Sequence, residues 1–155
     1  MARGDVKVFN ESKVLLNFGA STTDAASINI NADSFKVVLI TTAYGSVDAD
    51  GATPTYSDFS AAECSTGGGY TQNTATITVS AAEAGGTVTV SSGQVVWTSA
   101  GTGGPADIRT AIIFSDTSTS DLALCAVDMT SDGSAPVDLD DGDVTINSGT
   151  LFTFA

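Results

Sequence analysis

The chain has 155 residues, of which 18 are acidic and 5 are basic, so its formal net charge at pH 7 is -13. This length suits one domain with one core, and 42% apolar residues in strand-length runs exclude a disordered acidic chain. Because nucleic-acid affinity depends on Lys and Arg that neutralise phosphates, the charge balance also argues against a nucleic-acid partner.

The N-terminal segment and the cysteines indicate where the chain is made. The segment from Met1 to Asn17 mixes charges throughout, unlike a secretory signal peptide. The longest aliphatic run, Val37 to Ile40, is too short for a membrane span, so we expect synthesis in a cytoplasm and no membrane partner. Cys64 and Cys125 lie far apart, and without histidine they form no metal motif. We therefore expect two reduced, partly buried thiols.

The N-terminal part of the chain predicts one short strand and the only convincing helix. Val6 to Phe9 alternates apolar and polar residues, as a strand does. Either Asn10 or Ser12 is a suitable N-cap for a brief helix that runs through Leu16 and stops at Gly19.

The part of the chain that follows Gly19 contains strand signals and then a long irregular segment. Ile28 and Ile30 alternate with polar residues, as in a half-buried strand. Ser34 to Thr42 is rich in β-branched residues and predicts a strand. The segment from Ala43 to Tyr70 is rich in turn residues, and loops of this length in compact domains are usually functional or mobile. We call it the excursion, and it is our first candidate for a contact surface.

From Thr74 onward the pattern is β throughout. The predicted strands are Thr74 to Val79, Gly86 to Ser91, Gln94 to Trp97, Ile108 to Phe114, Leu122 to Met129, Asp143 to Asn147 and Leu151 to Phe154. Short strands between Gly, Ser, Asp and Asn clusters predict a mainly β fold, an antiparallel β-sandwich or jelly-roll-like domain. Thr, Ser and Val alternate along several of these strands, so one face of each can pack inward while the hydroxyl face meets water or a neighbour. The predicted core anchors are Trp97, Ile112, Phe114 and Leu124.

No catalytic grouping is visible in the sequence. The chain has no histidine, which excludes nucleophiles paired with one. Carboxylates are plentiful, but paired-carboxylate chemistry needs a defined separation in a cleft. We therefore predict that the chain is not an enzyme.

The sharpest local feature is the acidic sequence DLDDGD. Its carboxylates, together with a glycine, form a weak candidate for a calcium site because calcium prefers oxygen ligands. The residues are Asp138, Asp140, Asp141 and Asp143. An EF-hand spacing is not met, and we favour an exposed acidic turn between two strands over a metal site. We predict no required cofactor, with calcium as the alternative.

Five segments, taken in order, resemble a group of small virion proteins of tailed bacteriophages. They are VKVFNESKVLLNFG, DSFKVVLITTAY, TYSDFSAAECSTGGGYT, VVWTSAGTGGPADIRTAIIFSDT and the final TINSGTLFTFA. In that group a short helix leads into an apolar strand, then a loop, further strands and a last hairpin. The chain departs from the group at Ser80 to Gly86, SAAEAGG, which is unusually small and flexible.

The resemblance implies a non-enzymatic structural protein of the virion. The acidity would suit a decoration or cement protein on the outer capsid surface, made in the host bacterial cytoplasm. It implies the major capsid protein as partner and a homo-oligomer, often a trimer, in which weak contacts act together. A tail, adaptor or fibre-associated protein is the first alternative, and a calcium- or carbohydrate-binding β-sandwich module is the second.

The predicted contact residues come from the N-terminus and the excursion. We treat positions 1–155 as a single domain in which the N-terminal segment, from Met1 to about Asp33, makes contacts between subunits. The contact candidates are Arg3, Lys7, Phe9, Lys13, Tyr44, Tyr56 and Tyr70.

Overall fold

The structure is a computed structural model that describes residues 3–17, 27–47, 54–130 and 134–155. It confirms a mainly β fold with antiparallel sheets and a short N-terminal helix. The strands are β1 Val6–Val8, β2 Leu16–Asn17, β3 Ile28–Asn29, β4 Phe35–Ile40, β5 Thr76–Ile77, β6 Val79–Ala84, β7 Thr87–Ser92, β8 Val95–Trp97, β9 Thr110–Ser115, β10 Ala123–Asp128, β11 Val144–Ile146 and β12 Gly149–Phe154. The helices are α1 Asn10–Leu15 and α2 Tyr56–Phe59, with 3-10 turns at Tyr44–Ser46, Ser60–Ala62 and Leu139–Asp141. Neither α1 nor α2 is long enough to cross a bilayer, and no other described helix is.

The first layer is a five-stranded antiparallel sheet in the order β1-β10-β9-β4-β5. Every residue of β9 and β10 is buried, and only Lys36 is half-buried in β4. In these three strands both faces therefore meet neighbouring protein, which is the second of the two alternatives for the hydroxyl face. Their sequences FKVVLI, TAIIFS and ALCAVD are apolar at odd and even positions alike, which is the pattern of a sheet covered on both faces.

The second layer consists of a three-stranded sheet, β12-β7-β6, and a two-stranded sheet, β11-β8. Ser92 of β7 pairs with Gly149 of β12, and a short distance along the chain Val95 of β8 pairs with Ile146 of β11. The same two stretches of chain thus form both pairings, so the two sheets are consecutive sections of one antiparallel ribbon.

Two hydrophobic cores lie on opposite faces of the five-stranded sheet. The first fills the space between the layers and contains Val37, Ile113, Leu124, Val90 and Trp97. The second lies beneath α1, α2 and the start of the excursion, and contains Ile112, Phe114, Phe9, Tyr44 and Val47. All four predicted anchors are buried, with Trp97 and Leu124 in the first core and Ile112 and Phe114 in the second.

The seven strands predicted from Thr74 onward all overlap observed strands, and one further strand was missed. Ser80 to Gly86, predicted to be flexible, contributes to β6, which pairs along its whole length with β7. Gly85 and Gly86 then close the hairpin with φ of 61° and 85°. Backbone pairing with β7 supplies the order that the small side chains do not.

The short N-terminal helix is present, but it starts at Asn10 itself instead of after a cap at Asn10 or Ser12. Phe9 occupies the N-cap position of α1, without a side-chain cap, and neither Asn10 nor Ser12 serves as the cap. Ser12 is buried, and its hydroxyl donates to the carbonyl oxygen of Ala123 in β10. The helix ends at Leu15, and the predicted stop at Gly19 lies outside the described residues.

The alternating isoleucines are buried, as predicted for the inward face of a half-buried strand. Ile28 and Ile30 are 0% and 1% exposed, and β3 pairs in parallel with β2. These segments therefore help to close the first core.

Trp97→Ala should lower the free energy of unfolding by about 3 to 5 kcal/mol, because the buried indole leaves a cavity in the first core. Val96→Ala is the matched control, since the neighbouring side chain is 46% exposed and points away from that core. The control should change stability by less than about 1 kcal/mol. Urea unfolding followed by circular dichroism measures both, and equal losses would contradict the core role of Trp97.

Candidate functional site

A buried glutamate organises the excursion. Glu63 is 8% exposed and follows the 3-10 turn Ser60–Ala62. Its Oε2 accepts a hydrogen bond from the Tyr56 hydroxyl at 2.7 Å. Its Oε1 accepts one from the Tyr70 hydroxyl at 2.7 Å and one from the Asn73 amide at 2.8 Å. Three donors therefore satisfy a carboxylate that would otherwise be costly to bury.

The same segment also pairs with the edge of β4 beyond Phe35 and Lys36, the two residues that pair with β5. The Leu39 amide donates to the Tyr70 hydroxyl oxygen at 3.1 Å, and the Leu39 carbonyl accepts from the Cys64 amide at 2.8 Å. The Thr41 amide donates to the Ala62 carbonyl at 3.0 Å. The excursion thus protects a sheet edge whose open backbone groups would invite pairing with another chain.

Burial shifts the pKa values of the phenols upward. Burial, and then the hydrogen bond to Glu63, raises the pKa of Tyr56 to about 12. The same two causes raise the pKa of Tyr70 further. Burial, and then the charge of Asp5, raises the pKa of Tyr44 to about 12. The phenols of Tyr56 and Tyr70 therefore stay protonated and keep donating to Glu63 at neutral pH.

Burial has the same effect on the two free thiols. It raises the pKa of Cys64 to about 11, with the charge of Glu63 as the second cause, and raises the pKa of Cys125 to about 12. Both thiols are buried, so neither has the exposed, thiolate-favouring surroundings of a reactive cysteine.

The acidic turn and the glycine-bearing loop Gly101–Gly104 lie against each other. The Asp140 carboxylate accepts from the Gly103 amide at 3.0 Å through Oδ2 and from the Gly104 amide at 2.7 Å through Oδ1. Asp143 accepts from the Ser99 amide at 2.9 Å, and Asp138 accepts from the Asp140 amide at 2.9 Å. These carboxylates anchor backbone amides rather than converge on one point.

The calcium candidate is therefore revised. Within the described ranges no three His, Cys, Asp or Glu side chains are grouped so that they could hold a metal ion. Asp140 and Asp143 bind different stretches of backbone, while Asp141 is exposed. The acidic turn is a loop anchor in this arrangement.

Sequence reasoning missed the crossing of two glycine-bearing loops. A Cβ on Gly67 would overlap the Gly103 carbonyl oxygen, and one on Gly68 would overlap the Gly104 amide nitrogen. At Gly69 the Cβ would overlap the Thr98 carbonyl oxygen. Such close backbone contact admits only glycine. The run of three glycines was the available signal, but a sequence alone does not identify the partner loop.

Three aromatic contact candidates lie inside the protein. Phe9 is 0% exposed, Tyr44 is 7% and Tyr70 is 2%, so their rings offer little surface to a partner, contrary to the prediction. Tyr56 is half-buried and stacks on Phe114 with ring centroids 5.0 Å apart. The aromatic rings of the excursion therefore complete the cores, and its exposed described positions are small or polar residues.

The basic contact candidates behave differently from one another. Lys7 Nζ donates to the carbonyls of Tyr44 at 3.1 Å and Val47 at 3.0 Å, and lies 4.9 Å from the Tyr44 ring centroid. Lys13 is exposed and bonds to Asn10 at 2.7 Å. Arg3 is exposed and borders a cavity of about 270 Å³ between β1 and the β11–β12 connection. Within the predicted N-terminal contact segment, positions 1–2 and 18–26 lie outside the described part.

Comparisons with protein-family models, with curated proteins and with solved structures found no match to this chain. What the protein does has to be inferred from its own residues.

Alkaline pH should destabilise the fold. An unfolded tyrosine loses its proton near pH 10.0, whereas the folded Tyr56 holds it until about pH 12. The stability that this proton supplies is complete below pH 10 and is lost as the pH rises through the folded value. Tyr56→Phe should therefore be less stable than the parent at pH 8, but should lose less additional stability between pH 9 and about 12. Urea unfolding at several pH values across this range tests the prediction. It would be contradicted if the free energy of unfolding depended on pH equally in the two proteins.

Asp140→Ala should lower the free energy of unfolding by about 1 to 3 kcal/mol, because two amides of the Gly101–Gly104 loop lose a charged acceptor. Asp141→Ala is the matched control. Asp141 is the exposed neighbour of Asp140, so its replacement should change stability by less than about 0.5 kcal/mol. Thermal unfolding with and without calcium measures both variants. A calcium-dependent rise in melting temperature that Asp140→Ala abolishes would instead support a metal site.

Proposed function

We propose that the chain is a non-enzymatic structural protein of a bacteriophage virion, a decoration or cement protein on the outer capsid surface. The observation that carries the proposal is a surface whose negative charge is barely compensated by cations. The order of segments that resembles small phage virion proteins supports the same assignment.

The few basic side chains are mostly engaged within the chain. Lys36 forms an ion pair with Asp116 at 2.7 Å. Arg109 lies 3.6 Å from Asp107 and also donates to the Ser134 carbonyl. Lys7 donates to two backbone carbonyls of the excursion. A partner therefore meets an excess of carboxylates, with a net charge of -13 over the chain.

This charge selects the class of partner. Packaged DNA is repelled, because phosphate binding depends on unengaged Lys and Arg. A basic protein surface is attracted, and long-range attraction speeds the encounter of the two surfaces. The major capsid protein is the partner that we propose, with many copies of the chain on each particle.

The candidate site is compatible with a structural role. Two carboxylates hold polypeptide in place: Glu63 secures the excursion, and Asp140 secures the Gly101–Gly104 loop. A protein that stabilises a shell benefits from such a rigid frame, because loops that are already ordered lose little conformational entropy when they bind the shell.

Quantitative mass spectrometry of purified virions, with the position found by cryo-electron microscopy, tests the proposal. A decoration protein should be present at a copy number on the order of hundreds, matching the symmetric lattice of the head. A count of about a dozen would favour the tail or adaptor alternative. Absence of the chain from purified particles would overturn the proposal.

Binding to heads that lack the chain provides an independent measurement. If carboxylates meet a basic capsid surface, raising the salt from about 50 mM to about 500 mM should weaken binding, because screening shortens the range of the attraction. The Asp141→Ala protein should bind as the parent does unless the acidic turn faces the capsid. Binding that is independent of salt would contradict the electrostatic basis of the proposal.

A further inference from the structure

We propose that the free edge of β6 is a docking site for an extended basic segment of a partner protein, which adds to the sheet as a further strand. β6 is the last strand in the order β12-β7-β6, so the sheet pairs with only one of its two sides. Backbone amides and carbonyls on the other side of such a strand are a template for another strand. The inference concerns the chain by itself and does not rest on the virion role.

The hydrogen bonds of β6 show which backbone groups face away from β7. In an antiparallel pair, residues alternately direct their amide and carbonyl toward the neighbouring strand and away from it. The Ala81 amide donates outside the sheet, to Asn31 Oδ1 at 3.0 Å, so Ala81 is one of the outward residues. Glu83 lies two positions further along the same strand and is therefore another. In the part of the chain that the structure describes, no group outside the sheet bonds to the Ala81 carbonyl or to the Glu83 amide and carbonyl.

The other strand edges in the described part of the chain are shorter or protected. The excursion covers the edge of β4, while β1, β8 and β11 have three residues each and β2, β3 and β5 have two. β12 is interrupted by a register shift between Thr150 and Phe152, and such irregularities discourage pairing with another chain. β6 has six residues and pairs with β7 without a shift. It is therefore the longest regular edge among the described strands.

The side chains of β6 leave room for a further strand and specify its sequence. Ser80, Ala82 and Ala84 are exposed on one face and are too small to block an approaching backbone. On the opposite face, Ala81 is half-buried and packs against the first core, while Glu83 is exposed. Side chains on neighbouring strands form rows across a sheet. The added strand should therefore place an apolar residue beside Ala81 and, two positions away, a basic residue beside Glu83.

Charge selects a basic segment as the occupant. The net charge of -13 attracts a basic chain at long range and repels a second copy of this protein. At short range, an opposite charge beside Glu83 stabilises the added strand, whereas a like charge in that position destabilises it. Glu83 Oε1 accepts from the Gly86 amide at 2.8 Å, and in the described part of the chain Oε2 accepts no hydrogen bond. Oε2 is therefore available to a Lys or Arg side chain of the partner.

An NMR titration of the isotope-labelled full chain with a synthetic peptide tests the proposal. The probe is Thr-Lys-Thr-Val-Thr-Lys-Thr with blocked ends, which reads the same in both directions and so suits a parallel or an antiparallel strand. Because few backbone groups are open, we expect a dissociation constant on the order of 1 mM. At saturation, hydrogen exchange of the Glu83 amide should slow at least about threefold, because this amide gains an acceptor. The Thr89 amide, in the middle strand β7, should exchange as before.

Two protein variants separate pairing with Glu83 from attraction by the whole acidic surface. Glu83→Gln removes the charge and keeps a side-chain oxygen that can accept from the Gly86 amide, so the hairpin is preserved. It should weaken peptide binding about two- to fivefold, which is the effect of one cross-strand charge pair. The matched control is Asp141→Asn, which removes one exposed carboxylate from the acidic turn and should bind the peptide as the parent does.

A second peptide is the control for backbone pairing. It has the sequence of the probe with D-residues at alternate positions, so its composition and charge are the same but it cannot form a regular strand. It should bind at least about fivefold more weakly than the probe. Equal binding of the two peptides, an equal loss in the two protein variants, or an unchanged exchange rate at Glu83 would each overturn the proposal, as would the absence of binding at about 5 mM peptide. The free protein is used throughout, so the result is separate from any result on virions.

Discussion

The carboxylate of Glu63 is the constraint on which much of the first layer depends. It is buried, and it is stable there because two phenols and one amide donate to it. One of those phenols, Tyr70, also accepts from the Leu39 amide of β4. A single side chain therefore links the excursion to the edge of the central sheet. Removing it would leave the hydroxyls of the buried Tyr70 and the half-buried Tyr56, and the Asn73 amide, without this acceptor, which costs more than one hydrogen bond.

A second constraint acts at the level of the backbone. Gly67 and Gly68 lie so close to Gly103 and Gly104 that a methyl group has no room, and Asp140 binds the latter pair from the opposite loop. Loops that would otherwise be mobile are thus fixed by close packing and by a charged acceptor. The acidic turn suggests a metal site when only the sequence is considered. In the structure Asp138, Asp140 and Asp143 accept hydrogen bonds from backbone amides, and Asp141 is exposed.

The distribution of charge determines which kind of partner the surface of the molecule attracts. Cations such as Lys36 and Arg109 are engaged by neighbouring acidic residues, which leaves an excess of carboxylates for any partner. The proposed capsid partner follows from this excess, since a basic surface would meet the carboxylates.

The sequence by itself determined the fold class and most of the strands, because apolar runs with β-branched residues such as those of β4 and β9 have few other stable conformations. It also determined that Trp97 would be an anchor. The tertiary structure decided that β9 and β10 are covered on both faces, that β6 is ordered by β7, and that Tyr70 points inward to Glu63. These outcomes depend on residues distant in sequence. Local pattern records what a side chain prefers, whereas only packing decides which distant donor, backbone or sheet face it meets.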